Sequence, residues 1–103
     1  MALVSKGGYV YIITNANNKV LYTGVTSSLY SRILQHKNKA HPNSFSAKYN
    51  INKLVYYAFY DFIDVAIMVE KRIKAGSRKK KIELINAMNP DWNDLFEEMK
   101  DEY

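Results

Sequence analysis

Gly8-Tyr9-Val10-Tyr11-Ile12-Ile13 and Val20-Leu21-Tyr22-Thr23-Gly24-Val25 decide how this chain is read. Both runs are rich in β-branched and aromatic residues, and ten residues separate Tyr11 from Tyr22. Between them lies Asn15-Ala16-Asn17-Asn18, a string that tolerates turns and left-handed backbone. The pattern predicts a β-hairpin. An even-length loop centred on Ala16-Asn17 sets Tyr11 opposite Tyr22; moving the centre by one residue makes them diagonal neighbours on one face. Alternation then gathers Tyr9, Tyr11, Tyr22 and Gly24 on that face. Gly24, with no side chain beside two phenols, is expected to leave room for a ligand or another backbone. The plainer reading is an aromatic cross-strand pair in a β-rich core.

The remaining elements follow from caps and periodicity. Thr26-Ser27-Ser28 offers N-caps for a helix running to about Lys39, with Leu29, Ile33 and Leu34 as its buried stripe. Residues 40–52 read as a mobile loop with one short helical turn, and Leu54 to Tyr60 as a third strand. Asp61 or Asp64 caps a helix ending near Ala75, with Gly76 as its C′ residue. Ser77 caps the next helix, Arg78 to Met88, which Asn89-Pro90 ends. Trp92, Leu95, Phe96 and Met99 suggest a docked C-terminal segment. The expected fold class is α/β in the mixed α+β sense, a ββαβαα arrangement with a small three-stranded sheet flanked by helices. One domain is expected over residues 1–103, with a core over about 7–88 and the docked segment over 89–103.

Charge is unevenly spread along the chain, whose formal net charge is +5. Residues 1–60 hold seven Lys or Arg and no acid; residues 61–90 hold seven more against Asp61, Asp64, Glu70 and Glu83. The last thirteen residues hold six acids and only Lys100. A base-rich, tyrosine-rich body suits a polyanion such as nucleic acid, because phosphate neutralisation releases counterions. The acidic tail, Asp91 to Glu102, is expected to dock on a basic partner or on the chain's own basic face. Arg78-Lys79-Lys80-Lys81 opens a helix, where positive charge opposes the macrodipole; that favours a phosphate-facing role, against the alternative of a solvated helix face. With no cysteine, disulfides and thiolate metal sites are excluded. No run approaches the roughly 18 apolar residues of a membrane span, so a soluble, cytoplasmic protein is expected.

Arg32 and His36 are spaced i,i+4 and share a helical face. Glu70 is the sole acid between Asp64 and Glu83 and sits among Lys71, Arg72 and Lys74. Taken alone, it reads as an exposed residue paired with Lys74. Zinc ligation by His36 is disfavoured, since His41 is the only other histidine. Taken together, Gly8-Tyr9-Val10-Tyr11, Tyr22-Thr23-Gly24-Val25-Thr26, Arg32-Ile33-Leu34-Gln35-His36 and a later helical Glu70 resemble the GIY-YIG nuclease superfamily. Ser77-Arg78-Lys79-Lys80-Lys81, Leu84-Ile85 and Asn89 to Leu95 resemble its small stand-alone bacterial members. The resemblance spans roughly residues 7–95.

This resemblance implies a ββαβα core and an endonuclease that hydrolyses DNA phosphodiester bonds, branched or damaged DNA included, with one divalent ion. Tyr11 and Tyr22 match the motif tyrosines, Gly24 the motif glycine, Arg32 the family's arginine, and His36 its His-or-Tyr position. Glu70 matches the carboxylate that holds Mg²⁺ or Mn²⁺. A hard cation keeps several waters and needs few carboxylates. Tyr11 is expected to take a proton from water, provided that Arg32 and the ion lower its pKa from about 10. Lys37, Arg78, Lys79 and Lys81 are expected to contact nucleic acid. Two positions depart from the pattern. Val25 stands where many members place a lysine, and the family's final asparagine matches either Asn86 or Asn89. No separate DNA-binding domain is expected, so substrate choice would come from the basic faces, a dimer or a targeting protein partner. The alternative is a nucleic-acid-binding module that has lost cleavage and acts with a partner protein.

Overall fold

The computed structural model describes residues 7–99. Strands β1 (Gly8–Thr14) and β2 (Leu21–Thr26) form the antiparallel hairpin. Its loop is wrapped by one side chain: Asn15 Oδ1 accepts from the Lys19 and Val20 amides at 2.9 and 3.2 Å. Asn18 closes a turn onto the Asn15 carbonyl at 2.9 Å and adopts the left-handed φ of 60°. This wrapping moves the loop centre on by one residue, so that Tyr11 faces Gly24 and Tyr22 faces Ile13. The two tyrosines are therefore diagonal neighbours.

Strand β3 (Lys53–Tyr60) pairs antiparallel with the other side of β1, giving the order β2-β1-β3. As the central strand, β1 has Val10, Tyr11, Ile12 and Ile13 all at 1% exposure or less. Its alternating side chains feed two cores. Tyr11 and Ile13 pack with Leu29, Ile33 and Leu54 on one face. Ile12 packs with Val55 and Ile85 on the other.

Helix α1 (Leu29–Lys37) lies on the Tyr11 face. Leu29 and Ile33 are buried as expected, but Leu34 is 37% exposed, because the next residue round the helix points away from the sheet. Ser28 makes no side-chain cap; Thr26 Oγ1 instead accepts from the Ser28 amide at 3.0 Å. The short α2 (Phe45–Lys48) is capped by Ser44 Oγ. Helix α3 (Ile63–Ala75) sits close to the opposite face: a Cβ on Gly8 would lie 2.4 Å from Ile63 Cδ1. Neither Asp61 nor Asp64 caps α3. Phe62 occupies that position, and Asp64 sits in the first turn, where its charge favours the helix dipole. Gly76 has a φ of −76°, so it ends the helix in extended rather than left-handed backbone. Helix α4 (Arg78–Met88) is capped by Ser77 Oγ, which accepts from the Lys80 amide at 3.1 Å. Lys81 reaches back to the carbonyls of Lys74 and Gly76 at 3.3 and 3.0 Å. Part of the basic cluster thus closes the α3–α4 junction.

The segment after α4 docks through three polar anchors. Asn89, 5% exposed, donates to the Val55 and Asn93 carbonyls at 3.2 and 2.8 Å. Asn86 Oδ1 accepts from the Trp92 indole at 2.7 Å. Asp94 Oδ1 accepts from the Leu54 and Phe96 amides at 3.2 and 3.1 Å, while its Oδ2 binds the Lys37 ammonium. The Leu95 amide donates to the Leu54 carbonyl at 2.7 Å, so this segment covers the open edge of β3. Helix α5 (Phe96–Met99) then buries Phe96, stacked on Tyr30, and Met99. Lys37, expected to contact nucleic acid, is thus paired with Asp94 and holds the C-terminal segment. The acids at Asp101 and Glu102 lie outside the described residues.

Asp94→Ala leaves two backbone amides without their acceptor and the Lys37 ammonium with the Asn52 carbonyl, 2.9 Å away, in place of a carboxylate. The expected cost is about 2–3 kcal/mol, a fall of about 10–20 °C in melting temperature. Asp94→Asn, which keeps an acceptor for the amides, should recover much of it. A fall below about 3 °C for the alanine variant, read by circular dichroism, removes this anchor from the account.

Candidate active site

Strand β2 is the sheet edge, and Gly24 on it is where the phenol of Tyr11 rests. A Cβ on Gly24 would stand 2.4 Å from both Cζ and the hydroxyl oxygen of Tyr11. The space left by this glycine is thus filled by the chain's own tyrosine, and not by the ligand or other backbone expected from its position in the hairpin.

From there a hydrogen-bonded chain runs outward. The Tyr11 hydroxyl lies 3.0 Å from His36 Nε2, His36 Nδ1 lies 2.9 Å from Ser46 Oγ, and Ser44 Oγ lies 3.3 Å further on. His36 comes from α1 and the serines from the α2 turn, so the imidazole is gripped at both nitrogens. The Tyr11 and Tyr22 rings each meet it edge-on at 5.8 Å. Arg32, one helical turn before His36, is exposed and shares with it a cleft of about 170 Å³, also lined by Tyr22, His41, Phe45 and Ser46.

Burial sets the ionisation of this chain. Tyr11 is pushed well above the ordinary phenol value, first by desolvation and then by Tyr22; Arg32 pulls it down, and the charge of Glu70 pushes it up again. The lowering expected from Arg32 is outweighed, so Tyr11 is a protonated phenol at neutral pH. His36 is held below its ordinary 6.5, by burial first, then by Arg32 and His41, and is neutral there.

Glu70 stands one turn after the fully buried Ala66 on α3 and is itself 8% exposed, contrary to its reading as a surface residue. Its ion pair with Lys74 is long, at 3.6 Å, and the Lys74 side chain is 61% exposed. Among the described residues no three His, Asp or Glu side chains converge on one point. One buried carboxylate with a weak partner fits a hard cation that keeps most of its own waters. Thr23, on the face that α3 covers, has a buried hydroxyl with no hydrogen-bond partner among the described residues.

Tyr11, Tyr22, Arg32 and His36 are brought together, and Glu70 is near enough for its charge to bear on Tyr11. Asn86 and Asn89 are both engaged in holding the C-terminal segment. Arg78 reaches the Asn18 carbonyl at 3.4 Å, and Lys79 is exposed on α4. Ser44, Ser46 and His41 escaped the sequence reading. They lie in what read as loop, and no spacing signals that Ser46 folds back onto a histidine ten residues earlier.

Residues 7–83 match the GIY-YIG catalytic domain, a span that holds both tyrosine triplets, Arg32, His36 and Glu70. A UPF0213 protein of Clostridium perfringens is 39% identical over 83 residues, covering 77% of this chain and 83% of its own. A UPF0213 protein of Autographa californica nuclear polyhedrosis virus is 39% identical over 80 residues, covering 76% and 75%. The solution NMR structure of a UPF0213 protein from Bacillus halodurans is similar in fold, with a TM-score of 0.54, 24% identity, and coverage of 85% of this chain and 92% of that one. With three antiparallel strands, flanking helices and the motif residues in order along the matched span, the chain belongs to the GIY-YIG family.

Proposed function

We propose that this protein is an endonuclease that hydrolyses DNA phosphodiester bonds at the Arg32–His36 cleft. The observation that carries this reading is the bond between the Tyr11 hydroxyl and a histidine held neutral beside an exposed arginine. A neutral His36 can accept the Tyr11 proton at Nε2 while its Nδ1–H donates to Ser46 Oγ. As that proton leaves, the phenol oxygen becomes able to take one from an attacking water. Tyr11 thus passes a proton on, and needs no lowered pKa of its own. Arg32 binds the phosphoryl oxygens on which charge develops. Tyr22 meets the imidazole edge-on, as Tyr11 does, and helps to fix its plane. Glu70 would hold a divalent cation, Mg²⁺ or Mn²⁺, which when bound supplies Lewis-acid polarisation of the phosphate and stabilisation of the leaving oxygen. Lys79 and Arg78 on α4 remain candidates for backbone contact, and a protein partner for targeting.

The test is cleavage of supercoiled, single-stranded and branched DNA with Mg²⁺ or Mn²⁺ and with chelator. Cutting that needs the metal supports the reading. Salt-sensitive binding with no cutting shifts it to a nucleic-acid-binding module, which Val25 in place of a lysine also favours. No helix among the described residues is long and apolar enough to cross a membrane.

A pH profile tests the proton path. Because His36 titrates below 6.5, cleavage should hold its rate down to about that pH and fall only below it, as Nε2 becomes protonated and can no longer accept. His36→Ala should lose this acidic limb together with about a hundredfold in rate. A limb in the wild type centred above the ordinary histidine value rules out the neutral acceptor.

A further inference from the structure

We propose that Phe45 and Tyr49 form a stacking platform for an unpaired base, making single-stranded DNA the form that this cleft accepts. The inference rests on the reading above in taking DNA as the polymer. Phe45 and Tyr49 are four residues apart, on α2 and its C-cap, with ring centroids 4.8 Å apart. They are 52% and 54% exposed, although burying two aromatic rings is among the larger gains open to a small fold.

Their position gives the exposure a use. Phe45 lines the cleft with Arg32 and His36. Tyr49 lines a second hollow of about 240 Å³, with Asn15, Asn17 and Asn50. The ring pair therefore bridges a phosphate-sized cationic cleft and a hollow walled by side-chain amides, groups that pair with base edges. Among the described residues no Asp or Glu lines either hollow, while Arg32 and Lys39 line the first and Lys48 ends α2, next to Tyr49 in the chain. An extended strand fits this run: phosphate at Arg32, a base on the rings, and the next base against the asparagines. In a duplex both faces of each base are already covered, so the rings can take only an unpaired one.

The experiment is fluorescence anisotropy in chelator, so that binding is read without cleavage. A labelled single-stranded oligonucleotide is compared with a duplex of the same sequence. The proteins are wild type, the double variant Phe45→Ala/Tyr49→Ala, and Phe45→Leu/Tyr49→Leu, which keeps apolar cover but removes the π-faces. Wild type should prefer the single strand, and both variants should lose about tenfold or more of that affinity while duplex binding changes less than about twofold. If the alanine pair fails to fold by circular dichroism, the leucine pair decides. Full single-strand affinity in the leucine variant, equal weakening of both forms, or no preference in wild type overturns the platform. Ring-dependent binding without metal-dependent cleavage counts against the nuclease reading alone. Cleavage that ignores the rings counts against the platform alone.

Discussion

Glu70→Gln is expected to reduce DNA cleavage about a thousandfold or more, with the melting temperature kept within about 3 °C of wild type. The two halves of this expectation have separate physical grounds. Glu70 is 8% exposed, so its charge carries a desolvation cost, and its partner Lys74 is 3.6 Å away and 61% exposed. An ion pair that long, with one end in water, contributes little to stability. Glutamine has nearly the same shape, so the packing beside Ala66 survives and the buried charge is relieved. A hard cation, by contrast, is held by charge, and an amide does not replace a carboxylate for it. Cleavage within about tenfold of wild type removes Glu70 from the metal role. A fall of more than about 10 °C assigns it a structural one instead.

Gly24→Ala adds one methyl group and is expected to cost both stability and cleavage. The added methyl would stand 2.4 Å from the end of the Tyr11 ring. That ring is 1% exposed, and its hydroxyl is tied to His36 at 3.0 Å, so it cannot swing aside without breaking the hydrogen-bonded chain. Overpacking of this kind costs about 1–3 kcal/mol, or about 5–20 °C in a domain of this size. Cleavage should fall with it, because the phenol is pushed off Nε2. The diagnostic comparison is a double-mutant cycle: with Tyr11→Val the clash is gone, and Gly24→Ala should then cost far less. Equal costs in the two backgrounds show that the ring does not rest on this glycine. Retention of His36–Tyr11 geometry in Gly24→Ala, read from the imidazole nitrogen shifts by NMR, has the same meaning.

Elements whose signals are local were legible. The hairpin, the Ser77 cap, the end of α4 at Asn89-Pro90 and the third strand all stand where the residues put them, since each depends on a few adjacent residues. Alternation also placed Tyr9, Tyr11, Tyr22 and Gly24 on one face, in either register. What failed locally failed for a nearby reason. Asn15 wraps the loop and moves the register, Phe62 rather than an aspartate begins α3, and Leu34 turns from the core.

The candidate site divides along the same line. The order and type of Tyr11, Tyr22, Arg32, His36 and Glu70 were set down in the chain, and with them the membership in a family. Which of them touch, and in what protonation state, was decided by packing. Burial raises the Tyr11 pKa that Arg32 was expected to lower, and it holds His36 neutral. Lys37 and Lys81, equivalent to other basic residues in the sequence, are engaged by Asp94 and by the carbonyls of Lys74 and Gly76. Ser46 reaches His36 only because the chain after α1 turns back and brings its hydroxyl within 2.9 Å of Nδ1. The amino-acid sequence by itself determined the fold's elements and the chemical groups available, because both depend on residue type and short-range pattern. Only the tertiary structure decided which groups are desolvated and which are paired, because those energies depend on distances between residues far apart in the chain.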